Sequence, residues 1–90
     1  MRVIWAPHAL DDVERIYDYI ALFHSATAAR MVIRLRETGD SLSEFPERGR
    51  PGSAPGTREL IAVRPYILVY EIAGDEVHVL RIWHGAQQRG

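Results

Sequence analysis

The hydrophobic pattern of this chain changes period part way along, and that change restricts the fold more than any single motif. From Leu10 to Phe45 apolar residues recur at spacings of three and four, the period of a helix with one buried face. From Thr57 onward they come instead in short runs rich in branched and aromatic residues, Leu60 to Val63, Tyr66 to Ile72 and Val77 to Trp83, as strands do. Ninety residues, 47% of them hydrophobic, supply one two-layer core and no second domain, so residues 1–90 form a single α+β unit.

Val3 to Trp5 reads as a strand, stopped by Ala6-Pro7, and Pro7 is pre-shaped for the first helical position. Leu10, Val13, Ile16, Tyr17, Ile20 and Phe23 then form one stripe opposite Asp11, Asp12, Glu14, Arg15 and Asp18, an amphipathic helix of about four turns. His24 to Thr27 interrupts it, with Ser25 as the expected N-cap of a second helix carrying Ala28, Met31, Val32, Leu35, Leu42 and Phe45. Gly39 lies inside that stripe at a cost of about 1 kcal/mol relative to Ala, so a kink or fraying is expected there. Glu47 to Gly56 is rich in Pro, Gly and Ser and reads as a loop. The strands after it are separated by Arg64-Pro65 and by Ala73-Gly74-Asp75-Glu76, where Gly74 can take positive φ. The expected architecture is an N-terminal strand and an antiparallel two-helix hairpin packed on a C-terminal antiparallel β-meander.

With those turns fixing the register, strict alternation places Glu59, Ile61, Val63, Tyr66, Leu68, Tyr70, Val79, Arg81 and Trp83 on one sheet face. Arg58, Leu60, Ala62, Ile67, Val69, Glu71, His78, Leu80, Ile82 and His84 fall on the other. Both faces are mostly apolar while two helices cover one, so the surplus marks a partner surface, with Leu60, Ile67, Val69, Leu80 and Ile82 as its expected contacts. The alternative is that loops and chain ends cover it.

Eleven basic against 12 acidic side chains give a formal charge of −1 and no global field that would draw the chain to nucleic acid. All the basic residues are Arg, which suits planar bidentate contacts but also reflects genome composition. Without cysteine there is neither a disulfide nor a thiolate site, and a reducing cytoplasm is the expected location. No stretch approaches a membrane span or a signal-peptide core, so no membrane partner is expected. Phosphate loops, metal-ligand spacings and nucleophile elbows are lacking from the sequence, and no cofactor or metal is expected. Three chemical readings remain. Arg58, Glu71 and His78 fall in one row as an acid–base set or, preferably, a cross-strand salt bridge. His84, at a strand end beside Arg64-Pro65 and followed by Gly85, Gln87, Gln88 and Arg89, has the chemistry of a proton donor or acceptor at a phosphodiester. Arg81, among apolar neighbours, needs a partner such as Glu59 or an outside carboxylate or phosphate. Asp11-Asp12 is placed on a solvated helix face.

In order along nearly its whole length the chain resembles the RelE/ParE superfamily of small bacterial toxins from type II toxin–antitoxin systems. The residues that carry this are Ala6-Pro7-His8-Ala9 and Leu10-Asp11-Asp12, Ile16, Tyr19-Ile20, Phe45-Pro46, Gly49-Arg50, Arg58-Glu59-Leu60, Tyr66, Val69-Tyr70, Leu80-Arg81-Ile82 and His84-Gly85. The resemblance implies a helical hairpin on an antiparallel sheet and a hetero-oligomer with a cognate antitoxin. It also implies one of two targets: DNA gyrase in the ParE-like branch, or the ribosome with its mRNA, cut by the RelE-like branch. Ile67 stands where RelE-like enzymes carry a catalytic Arg, and their C-terminal Tyr is missing, so the ParE-like branch is favoured. In the endoribonuclease alternative the resemblance assigns the catalytic set to His84 with Arg58, Arg64 or Arg81. A third reading is a toxin-like module that only binds its partner.

Overall fold

Pro7 opens α1 (Pro7–Ala21) from an extended Ala6 that caps with no side chain, so the missing proline N–H falls where a helix has no internal acceptor. Ala9 and Val13 turn to the core with Ile16 and Ile20 beside them, whereas Leu10, Tyr17 and Phe23 of the expected stripe stay exposed. The computed structural model describes residues 1–85, and among them the hairpin covers one face of a single sheet, which buries only an arc of each helix.

The second helix, α2, runs Ser25–Asp40, with His24 rather than Ser25 in the cap position and no side-chain cap bond. It ends sooner than the apolar spacing implies. Leu42 enters the core from a 3-10 turn, Ser41–Ser43, and Phe45 lies exposed beyond it. Gly39 lies in the last turn of α2, one residue before its end. A Cβ there would overlap Trp5 Cζ2, lie 2.8 Å from Trp5 Cη2 and 3.3 Å from Leu68 Cδ1, so glycine is what lets the indole slide under α2. The same indole donates to Asp40 Oδ1 at 3.0 Å, and the Arg36 guanidinium sits 4.7 Å from its centroid.

The sheet comprises β1 (Arg2–Trp5), β2 (Arg50–Pro51), β3 (Thr57–Val63), β4 (Tyr66–Ala73) and β5 (Glu76–His84), in the order β1-β5-β4-β3-β2. The antiparallel meander β3-β4-β5 is as expected, with Gly74 at φ +63° in its last turn and a cis Arg64–Pro65 bond in the first. Two features go beyond the expectation. The first strand pairs in parallel with the last, Val3 opposite Val77 and Trp5 opposite Val79, so everything between them forms the crossover. Within the expected loop, Arg50 and Pro51 form a short edge strand opposite Glu59 and Arg58, a position where proline is tolerated.

Strict alternation fails at two irregularities, between Ile61 and Val63 in β3 and opposite Val69/Tyr70 in β5. Each inserts a residue and inverts the faces on one side of it. The helix-covered face therefore carries Leu60, Val63, Tyr66, Leu68, Tyr70, Val77, Val79 and Ile82, while Glu59, Ile61, Ile67, Val69 and Trp83 lie on the outer one. This corrects two of the expected partner contacts. Ile82 is buried in the core beside Val13, Leu35, Val63 and Tyr66, and Leu60 packs against the cluster of Ala9, Leu42, Leu68, Tyr70, Val77 and Val79. Ile67, Val69 and Leu80 stay half-buried outside it. The outer face is also less apolar than expected, because Arg2, Glu76 and His78 form an ionic cluster at its β1 end.

Gly39→Ala improves intrinsic helix propensity yet should lower unfolding free energy by about 1–3 kcal/mol in urea titration, the usual cost of overpacking. Trp5→Phe removes the ring atoms concerned, so the cost of Gly39→Ala should shrink in that background; an equal cost in both would overturn this account.

Candidate functional site

The paired edge of β5 ends where β1 stops. The Ala6 N–H donates to the Val79 carbonyl at 2.9 Å, and from there β5 continues with no strand on that side among the described residues. An uncovered edge leaves backbone donors unmet. Here one is met from α1: the Ile82 N–H donates to Asp12 Oδ2 at 2.9 Å. Arg81 completes the arrangement as a fork, Nε to Asp12 Oδ2 at 2.8 Å and Nη2 to Oδ1 at 3.2 Å, and Arg15 from the next turn of α1 also donates to Oδ1. Asp12 is 4% exposed, so the expected solvated carboxylate is instead the buried link between α1 and β5. Burial pulls its pKa up, but the hydrogen bonds from Arg81, the Ile82 amide and Arg15 outweigh that and hold it below the ordinary carboxylate range. The bond to Asp12 in turn raises the pKa of Arg81. The expected Arg81–Glu59 pair does not form; Glu59 is held by Arg50 at 3.2 Å.

Beside this link lies an open depression of about 650 Å³ between α1 and the end of β5. Ile16, Tyr19, Tyr66, Ile82 and Trp83 give it apolar walls, and Arg15, Arg81 and His84 line it too. The Arg81 guanidinium lies 4.4 Å from the centroid of the Trp83 ring, and His84 meets Tyr66 edge to face with centroids 5.5 Å apart. Burial, with Tyr19 adding to it, pushes the Tyr66 phenol up, so near neutral pH it is a hydrogen-bond donor rather than a base. The Gly85 N–H donates to the Pro65 carbonyl at 2.7 Å and anchors this strand end to the Arg64-Pro65 turn. Such a surface offers apolar and aromatic area with a neutralised arginine, a chemistry suited to gripping a protein segment.

The sequence-derived candidates separate here. His84 and Arg81 line the same depression, and Arg64 is exposed in the adjoining turn. Arg58 does not join them. It pairs with Tyr70, four residues along β4 from Tyr66, or roughly 13 Å of strand. Its guanidinium donates to the carbonyls of Gly49 at 2.8 Å and Glu47 at 3.4 Å. The Arg58–Glu71–His78 row forms only in part: Glu71 lies opposite His78 as expected, but Thr57 rather than Arg58 stands opposite Glu71, and His78 contacts Glu76 at 2.9 Å. Gln87, Gln88 and Arg89 lie outside the described residues. The residues that sequence reasoning missed are Asp12, Tyr19 and Tyr66. A signal for Asp12 was present: it falls on the buried arc with Ala9, Val13 and Ile16, as Arg81 falls within an apolar strand, and two stranded opposite charges ask for each other.

A second polar clamp fixes the segment after α2. The Tyr70 hydroxyl donates to the Pro46 carbonyl at 2.6 Å and accepts from the Gly49 N–H at 2.9 Å. A Cβ at position 49 would come within 2.8 Å of that ring, so Phe45-Pro46, Gly49-Arg50 and Val69-Tyr70 are parts of one fastening.

A helical hairpin laid on a mixed sheet whose last strand is bolted to the first helix defines a small α+β domain. Residues 3–89 match the family model of the ParE toxin of type II toxin–antitoxin systems, and the chain belongs to that family, within the RelE/ParE superfamily. It is therefore the toxin of a type II pair, and such a family implies a cognate antitoxin. Similar proteins include Toxin RelE2 of Caulobacter vibrioides, 45% identical over 86 residues, spanning 96% of this chain and 97% of that protein. Putative toxin Y4kP of Sinorhizobium fredii is 41% identical, covering 97% of this chain and 91% of its own. Among solved structures, a chain of the chromosomal ParDE system from P. aeruginosa superposes with a TM-score of 0.85 at 31% identity, over 93% of this chain and 95% of that one. E. coli YafQ, at 14% identity and a TM-score of 0.60 over 100% of both chains, shares the fold.

Asp12→Asn keeps the shape and removes the charge, and should cost about 1–3 kcal/mol in chemical denaturation, with most of the loss shared in a double-mutant cycle with Arg81→Ala. Because the Asp12 carboxyl titrates lower in the folded chain than in the unfolded one, its contribution is complete above the unfolded value of about 3.9 and is lost as pH falls through the folded value. The acid limb of stability against pH should therefore be shallower in Asp12→Asn; an unchanged limb would show that the carboxylate is not held in this way.

Proposed function

We propose that this toxin inhibits growth by binding and poisoning DNA gyrase, and that its antitoxin silences it. The observation that carries this reading is the state of the arginines a nuclease would need. Cutting RNA requires cations free to meet the charge that develops on the scissile phosphate. Arg81 is neutralised by Asp12 and Arg58 is engaged by two loop carbonyls away from His84, which leaves Arg64, exposed in the adjoining turn, as the one arginine of the candidate set uncommitted among the described residues. The likeness to a ParDE structure at 31% identity supports the same branch. The antitoxin, in this reading, covers the apolar part of the outer sheet face at Ile67, Val69 and Leu80, by strand addition or a helix laid in a groove. The cell interior is where both partners and target would meet.

The second reading is a ribosome-dependent endoribonuclease with His84 as acid or base. His84, Tyr66 and Arg81 around one depression, and relatives named RelE2 and RelE1 at 45% and 37% identity, favour it. One pair of assays separates the two. Purified toxin added to gyrase should abolish supercoiling, and toe-printing on translated message should show no new cuts. Intact supercoiling at a large molar excess, together with A-site cuts that vanish in His84→Ala, would replace the first reading with the second.

A further inference from the structure

The two helices of the hairpin carry opposite charge on their outward sides. On α1, Asp11, Glu14 and Asp18 recur at spacings of three and four opposite the buried Ala9 and Val13, and all three are exposed. On α2, Arg30 and Arg34 lie opposite the buried Ala28, Leu35 and Gly39, with the exposed Glu37 on the same side toward the C-terminal end; Ile33 is a large aliphatic side chain left 56% exposed on that face. Within the described residues none of the three acids is ion-paired, and neither is Arg34; Arg30 reaches Thr27 of its own helix. Neighbouring helices thus present complementary charge without satisfying each other.

We infer that this face pairs with the same face of a second copy of the chain about a two-fold axis parallel to the helices. That operation sets α1 of each copy over α2 of the other, antiparallel, and it preserves height along the hairpin. Counting outward from the turn, with Ala21 level with Ser25, Arg34 is level with Asp12 and Arg30 with Ile16. Each Arg34 then falls between the partner copy's Asp11 and Glu14 levels, and each Arg30 between its Glu14 and Asp18 levels. Glu37, one turn further along α2, lies level with Ala9, two residues or about 3 Å past the partner copy's Asp11, a like-charge approach that weakens the pairing at that end. Ile33 of each copy closes against the facing α1. The face is as long as α1, 15 residues or about 22 Å, and two helices wide. That is smaller than most stable interfaces, so the dimer is a weak one whose orientation is set by charge. Nothing in this depends on whether gyrase or the ribosome is the target.

Sedimentation equilibrium of the full chain, free of antitoxin, tests it. At about 100 μM in low salt the mass should approach that of a dimer, and it should fall toward the monomer near 0.5 M salt, where screening is about 4 Å. Two variants, Arg30→Glu/Arg34→Glu and Glu14→Arg/Asp18→Arg, should each be monomeric while keeping the wild-type circular dichroism and melting profile. Mixed in equal amounts they should recover dimer mass, because each then offers the other the charge it lost on both sides of the axis. A wild-type chain that stays monomeric overturns the inference. So does a mixture that fails to pair, or a dimer indifferent to both variants. If the arginine variant instead loses binding to gyrase while wild-type mass remains that of a monomer, the face belongs to the target and the inference is likewise overturned.

Discussion

One carboxylate sets the relation between the two layers. A central strand that outruns its neighbour exposes backbone donors along one side, and such an edge must be covered or it becomes a template for pairing. Asp12 covers it from a helix, so its position on the buried arc of α1 fixes how that helix lies against β5. The same carboxylate fixes the Arg81 guanidinium, which in turn lies over Trp83, and the depression beside α1 takes its shape from that chain of contacts. Because the carboxylate is removed from water while Arg81 stays partly exposed, losing Arg81 strips a buried charge of its main partner, which makes the joint more sensitive than an exposed salt bridge.

Several of the arginines serve as structural ties. Besides the bond to Asp12, Arg58 clamps the loop carbonyls of Glu47 and Gly49, Arg50 holds Glu59, Arg36 stacks on Trp5 and Arg2 meets Glu76. Guanidinium is suited to this because its planar donors satisfy two acceptors at once and its face tolerates an aromatic ring. The lack of lysine therefore has a structural counterpart in these contacts. It also bears on chemistry, since a cation tied to an internal acceptor contributes little field to a passing phosphate.

The broad architecture was legible in the sequence because its signals are local. Pro7 starts a helix, Gly74 turns a hairpin, and the change from a period near 3.6 to β-rich runs separates the hairpin from the meander. What escaped depends on single inserted residues or on partners distant in the chain. One extra residue near Ala62 and another near Leu80 reverse the faces, so Leu60 and Ile82 move under the helices while Ile61 and Trp83 move out. Alternation alone cannot reveal a bulge. Gly39 looked like a flaw in a helix because Trp5, the reason for it, is 34 residues earlier. Of the candidate site, His84 and Arg81 were visible as unusual residues at a strand end. The depression they share with Tyr19 and Tyr66 required the packing of α1, which no periodicity encodes.

The parallel pairing of the first strand with the last has a consequence for how the molecule comes into being. β5 lies between β1 and β4, so a nascent chain that has already emitted its opening strand and both helices still lacks an interior strand of its sheet and the Ile82 amide that donates to Asp12. Contacts of such long sequence separation close last, and synthesis proceeds from the other end. A half-made copy is consequently an open shell without the finished wall around His84 and Trp83.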